Sequence, residues 1–106
     1  MALLDLLGRR WAMGVLWTLC LNGPSTFRRL QQLCETISPA VLNQRLKELQ
    51  EARFVEKTPQ GYAVTSLGMR IQKQLVPLRE IAILWARILE HEEGQEGAGR
   101  DRPATD

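Results

Sequence analysis

Histidine is nearly missing from this sequence. His91 is the only one, and cysteine occurs twice, at Cys20 and Cys34. Two Cys and one His at this spacing build no metal-ligand cluster. His91 lies beside Glu90, Glu92 and Glu93, as a solvated surface residue would, and no Ser/His/Asp set or Gly-rich phosphate loop occurs. An enzyme is therefore not expected, nor is a metal or other cofactor. Long apolar runs are lacking too, and the longest is too short to span a bilayer. A signal-peptide pattern is not evident: Asp5 interrupts the first apolar run, and Arg9-Arg10 follow that run instead of preceding it. Both cysteines fall inside apolar helical patterns, where buried reduced thiols are expected. The setting these features imply is reducing and cytoplasmic.

What is present suits one small soluble domain. The chain has 106 residues, 44% of them hydrophobic and 25% charged, enough for a packed core with a polar surface. A chain this short often completes its core by pairing with a second copy. The net charge of +2 is unevenly spread. Residues 1–89 hold 12 Lys/Arg against 6 Asp/Glu, a net +6, and residues 90–106 hold 2 against 6, a net −4. A basic body with an acidic tail suits a polyanion-binding surface beside a solubilising tail.

The pattern from Ile37 to Leu49 organises the rest. Ser38 is placed to cap a helix and Pro39 to occupy its first position, where no amide hydrogen is needed. Leu42, Leu46 and Leu49 follow at i, i+4 and i+7, one stripe of an α-helix. Ala40, Asn43, Gln44 and Lys47 then share the opposite, polar face. Asn and Gln amides read adenine edges, and Lys neutralises phosphate. On the helix alone, an ordinary solvated face explains these residues equally well. Its neighbours shift the balance.

Residues 3–21 have apolar positions at helical spacing, with Gly8 as a break that leaves a short arm before a main helix from about Arg10. Asn22-Gly23-Pro24 stops that helix. Ser25 or Thr26 caps a second helix, Phe27 to about Cys34, with Phe27, Leu30 and Leu33 inward and Arg28 and Arg29 outward. A tight turn at Glu35-Thr36-Ile37 leads into the polar-faced helix, a helix-turn-helix pattern. The period then changes to two over Phe54–Thr58 and Tyr62–Thr65 about a Pro59-Gln60-Gly61 turn, which predicts a hairpin. Three helices followed by a hairpin make a winged helix. Thr65 or Ser66 starts a last helix to about Glu92, in which Ile71, Leu75, Leu78, Ala82, Trp85 and Leu89 form a coiled-coil-like seam, with Pro77 as a kink. Further apolar residues lie off that seam, so a second copy of the helix is the simplest cover. The expected fold is mainly α with a small β-hairpin wing: a winged helix-turn-helix with a C-terminal dimerisation helix. It forms one domain over 1–93, dimerisation helices included, before a disordered tail over 94–106.

These residues also resemble the HxlR-type winged helix regulators of bacteria. Arg10-Trp11-Ala12, Asn22-Gly23-Pro24 and Phe27 resemble the start of such proteins. Ile37-Ser38-Pro39, Val41-Leu42, Gln44-Arg45-Leu46 and Glu48-Leu49 resemble their recognition helix. Ala52, Val55-Glu56, Tyr62, Thr65 and Leu67-Gly68 match the wing, and Leu75, Pro77, Leu78 and Trp85-Ala86 the dimer helix. The resemblance covers about residues 3–91. It implies a homodimeric transcription regulator bound to operator DNA. Three features depart from the family pattern. Ala40 stands where members often have a basic residue. The wing is short, with Lys57 as its one base. No Cys lies just before the first helix, where some members sense oxidants or electrophiles.

The expected function is sequence-specific binding of double-stranded operator DNA by a homodimer, with the recognition helix, about 38–52, in the major groove and the wing, 54–65, near the backbone. Candidate DNA-binding residues are Thr26, Arg28, Arg29, Ser38, Ala40, Asn43, Gln44, Lys47, Lys57 and Gln60, with Asn43 and Gln44 as base readers. Arg9 and Arg10 could reach flanking phosphates or simply be solvated. Arg45, near the edge of the buried stripe, is placed to pair with Glu48 or with a core-edge carboxylate instead of reaching DNA. Candidate dimer residues are Leu4, Leu7, Trp11, Leu75, Leu78, Ala82, Trp85 and Leu89. Trp11, Trp17 and Trp85 could line a cavity for a small apolar effector, although plain core is the commoner use of such residues. The alternative function is a protein-interaction winged helix without specific DNA binding, which the short wing and Ala40 favour slightly.

Overall fold

In the computed structural model, residues 2–99 are described. The elements are α1 (Ala2–Leu7), α2 (Ala12–Asn22), α3 (Phe27–Leu33), α4 (Pro39–Glu51), β1 (Val55–Thr58), β2 (Gly61–Val64) and α5 (Ser66–Gly99). The chain divides after Lys73 into two units. The first holds α1 to β2 and the opening turns of α5; the second is the remainder of α5.

The first unit is a winged helix. Its core is built from Ala12, Val15, Leu16 and Leu19 of α2, Leu30 of α3, and Leu42, Leu46 and Leu49 of α4, all buried. Helix α2 packs on α4, α3 and β2, and α4 on β1. Each fully buried Leu contributes about 1.5–3 kcal/mol. The three of α4 together outweigh any propensity effect on its other face, so the sequence stripe fixes which face looks outward.

Local chemistry sets the helix boundaries. The Thr26 side chain caps α3 by accepting from the Arg29 amide at 3.1 Å, and Ser38 caps α4 by accepting from the Val41 amide at 3.2 Å. Pro39 occupies the first turn of α4, as expected. The break after Gly8 is present, but α2 begins at Ala12, not near Arg10, because Trp11 adopts a left-handed conformation at φ 75°. Turn hydrogen bonds from Arg9 N to Leu6 O and from Ala12 N to Arg9 O fill the gap.

The wing is a two-stranded antiparallel hairpin, with Val55 opposite Val64 and Thr58 opposite Gly61. Both strands start one residue later or earlier than the alternation predicts: Phe54 is the buried residue before β1, and Thr65 already caps α5, accepting from the Gly68 amide at 3.0 Å. A bridge not visible in the sequence joins the hairpin to the segment before α3. Ser25 N donates to Tyr62 O at 2.9 Å and Tyr62 N to Ser25 O at 2.8 Å. Gly61 permits this approach: its φ is +117°, and a Cβ there would overlap the Ser25 carbonyl.

In the second unit α5 runs on through Pro77. The helical backbone is described to Gly99, within the tail expected over 94–106. The rest of that tail, 100–106, lies outside the described residues. Cys34 is buried as expected, whereas Cys20 is only half-buried, since it sits beside Leu21 at the solvent edge of α2.

Candidate nucleic-acid interface

Helix α4 presents the candidate surface. Its three buried leucines leave Ser38, Ala40, Asn43, Gln44 and Lys47 exposed on the outward side. The first turn has no acidic residue, so apart from the Val41 amide that Ser38 caps, the positive end of the helix dipole has no carboxylate of its own to offset it. Thr26, Arg28 and Arg29 are exposed at the start of α3. Thr26 is already engaged as a cap, which leaves its hydroxyl proton as the available donor.

The wing residues sit differently. Lys57 Nζ lies 4.8 Å from the centroid of the Tyr62 ring, a cation–π contact that holds the ammonium close to the hairpin. Gln60 is exposed at the tip, where its amide donates to Thr58 Oγ1 at 3.2 Å, and Thr58 in turn bonds to the Gly61 carbonyl.

Glu48 organises the C-terminal half of the polar face. Its Oε1 accepts from Arg45 Nη1 at 3.0 Å, one of the pairings expected from the sequence, and its Oε2 lies 2.8 Å from Arg9 Nη1. Gln44 Nε2 donates to the same Oε2 at 2.9 Å, and Arg45 Nε donates to the Arg10 carbonyl at 2.7 Å. The Gln44 hydrogen bond, with Arg45 and Arg9 beside it, holds the Glu48 carboxyl below its ordinary range, against the opposing effect of desolvation. Arg10 stacks 5.1 Å above the Trp11 ring. Sequence reasoning offered Glu48 as one partner for Arg45, from the place of Arg45 at the edge of the buried stripe. It missed the Gln44 bond, although that pair has i,i+4 spacing. The ties to Arg9 and Arg10, some 35 residues away in sequence, leave no local signal.

The candidate dimer residues fall into two sets. Leu7 and Leu75 are already buried in a single copy, and Trp11 is half-buried. Leu4, Leu78, Trp85 and Leu89 are 64%, 54%, 61% and 40% exposed, and Ala82 is exposed as well. Trp17 is half-buried in the first unit. Among the described residues no group of His, Cys, Asp and Glu could hold a metal, and no helix is long and apolar enough to cross a membrane.

Comparison with known proteins places this architecture. The family model described as HxlR-like helix-turn-helix matches residues 6–90. The HTH-type transcriptional regulator YodB of Bacillus subtilis (strain 168) is 34% identical over 75 residues, which span 64% of this chain and 66% of that protein, just under two thirds of its length. The crystal structure of quinone-bound YodB from B. subtilis has a TM-score of 0.73 at 29% identity, covering 78% of this chain and 93% of that one. A possible HxlR family transcriptional factor from Thermoplasma volcanium GSS1 has a TM-score of 0.72 at 29% identity, covering 82% of this chain and 84% of that one. These relatives are named as regulators of transcription and not as enzymes. The chain belongs to the HxlR-like helix-turn-helix family.

Proposed function

We propose that this protein is a transcription regulator that binds double-stranded operator DNA as a homodimer in the cytoplasm. The observation that supports it best is the outward face of α4: Asn43, Gln44 and Lys47 exposed on a helix whose opposite stripe is locked in the core. In this reading α4 enters the major groove, and Asn43 and Gln44 meet base edges. Lys47, Arg28, Arg29 and Thr26 contact phosphates, with Ser38 and Ala40 bringing the start of the helix close to the backbone. Lys57 and Gln60 flank the duplex from the wing.

The testing experiment measures binding to genomic fragments and to random duplex across a salt series. Binding that weakens steeply with salt signals counterion release. Lys47→Ala should weaken both duplexes alike and flatten the slope by about one unit, because one phosphate contact is lost. Salt-insensitive capture of DNA, or none, would sink the reading.

A protein-interaction role is favoured by one observation: the short wing has Lys57 as its sole base, and that base is held against Tyr62. An effector belongs to the proposal as well. The YodB structure has a quinone bound, so a small apolar or quinone-like molecule is the class to test here.

A further inference from the structure

Gln44 is not a free amide. Its Nε2 donates to Glu48 Oε2 one helical turn further on, at 2.9 Å. An isolated pair of this kind on a helix surface is weak. This one is anchored, because Glu48 is itself gripped by Arg45 at 3.0 Å and Arg9 at 2.8 Å, and its side chain is only 11% exposed. Arg45 is fixed in turn by its bond to the Arg10 carbonyl. With its carboxyl held below the ordinary range, Glu48 is ionised at neutral pH. An ionised carboxylate only accepts hydrogen bonds. The Gln44 amide therefore commits one of its two N–H groups to Glu48 and turns its carbonyl oxygen away, leaving that oxygen and the second N–H, the pair that matches the adenine edge.

A freely rotating glutamine is ambidextrous. It can offer its NH2 group to guanine O6 or thymine O4, or its oxygen to adenine N6–H or cytosine N4–H. We infer that Glu48 is a positioning residue that fixes which end of the Gln44 amide meets a base edge, giving a preference for adenine or cytosine at the position Gln44 reads. The inference rests on the reading of α4 as the base-reading helix. Arg9 and Arg45 offset the charge of Glu48, so a carboxylate is tolerated on a face that approaches phosphates.

The test selects bound sequences from a random duplex pool with the wild type, Gln44→Ala, Glu48→Gln and Arg9→Ala, each first checked for native helix content and cooperative unfolding. Gln44→Ala identifies the position that Gln44 reads, as the one whose preference it erases. The wild type should select adenine or cytosine there. In Glu48→Gln the partner amide donates as well as accepts, so Gln44 can flip. Guanine or thymine should then be admitted at that position, with the preference cut about fivefold or more and other positions unchanged. Arg9→Ala removes an ion pair but leaves the Glu48–Gln44 bond, and should keep the wild-type preference. A Glu48→Gln protein that retains the wild-type preference, or a wild type that selects guanine or thymine at this position, overturns the positioning role alone. A Gln44→Ala protein that erases no preference overturns base reading by Gln44, and the positioning role with it. A measurement on the wild type needs no folded variant: the Gln44 side-chain amide resonance should shift as Glu48 is titrated with acid. An amide that stays unshifted while the Glu48 carboxylate resonance itself titrates would also overturn the inference.

Discussion

Single residues set the tolerances of this fold. At Gly68, in the first turn of α5, an added Cβ would overlap the Phe54 carbonyl oxygen and come within 2.7 Å of Val64 Cγ1. Backbone cannot yield as a flexible side chain does, so Gly68→Ala should destabilise by about 1–3 kcal/mol, in the range of overpacked cores. Thermal unfolding should show a fall of roughly 4–8 °C per kcal/mol; an unchanged midpoint would mean that α5 can shift. The cysteines differ from each other. Cys34 is 8% exposed, and burial pushes the half-buried Cys20 thiol up, with its Sγ 3.7 Å from Met69 Sδ. A water-soluble thiol reagent, followed by mass spectrometry, should label Cys20 more slowly than a free thiol and Cys34 only on unfolding. Fast native-state labelling of Cys34 would contradict its burial. At this scale the sequence disclosed which residues of α4 face out, because three leucines dictate it. It did not disclose how those side chains are held, because hydrogen bonds such as Gln44 to Glu48 depend on rotamers.

At the scale of elements, caps and periodicity were enough to place most of the chain. Ser38 and Pro39 start α4, Thr26 starts α3, and the change from helical to alternating spacing marks the hairpin. Two features escaped because tertiary contacts decide them. The Ser25–Tyr62 bridge pairs residues far apart in sequence, and the left-handed Trp11 has no local signature, since aromatic residues seldom adopt that conformation. The end of α4 shows a related conflict. Arg53 N bonds to Gln50 O and Phe54 N to Leu49 O, both at 3.0 Å, the pattern of a Schellman cap. Arg53 fills the left-handed position of that cap at φ 70°, where glycine is the usual residue. The conformation costs about 1–2 kcal/mol for a residue with a Cβ. Glycine relieves that strain but adds chain entropy to the unfolded state. Arg53→Gly should therefore stabilise by a net of roughly 0.5–1 kcal/mol, seen as a higher midpoint in urea with an unchanged slope. A lower midpoint would show that the Arg53 side chain makes a stabilising contact.

The whole molecule poses a question of cover. Along α5, Val76, Leu78, Ile81, Ile83, Leu84, Trp85, Ile88 and Leu89 are each 40% exposed or more in a single copy. Isolated exposed apolar residues are ordinary, but a run of eight along one helix exceeds what a soluble monomer tolerates. The run has the 4-3 spacing of a helix pair over its seam positions, and no residue in it is charged apart from Arg79, Glu80 and Arg87 on the intervening turns. Two copies of α5 related by a two-fold axis would bury these residues against each other. The wild type is therefore expected to have the mass of a dimer by light scattering at micromolar concentration. Leu78→Glu and Trp85→Glu should shift that mass toward the monomer, because each places a charge in the buried seam. Leu75→Glu is a poor test, since Leu75 is buried in a single copy and its loss would disturb the fold. If dimerisation serves binding, both α5 variants should also lose affinity for a two-half-site operator while retaining helix content. A wild type that is monomeric at micromolar concentration would remove the dimer and require another partner to cover α5.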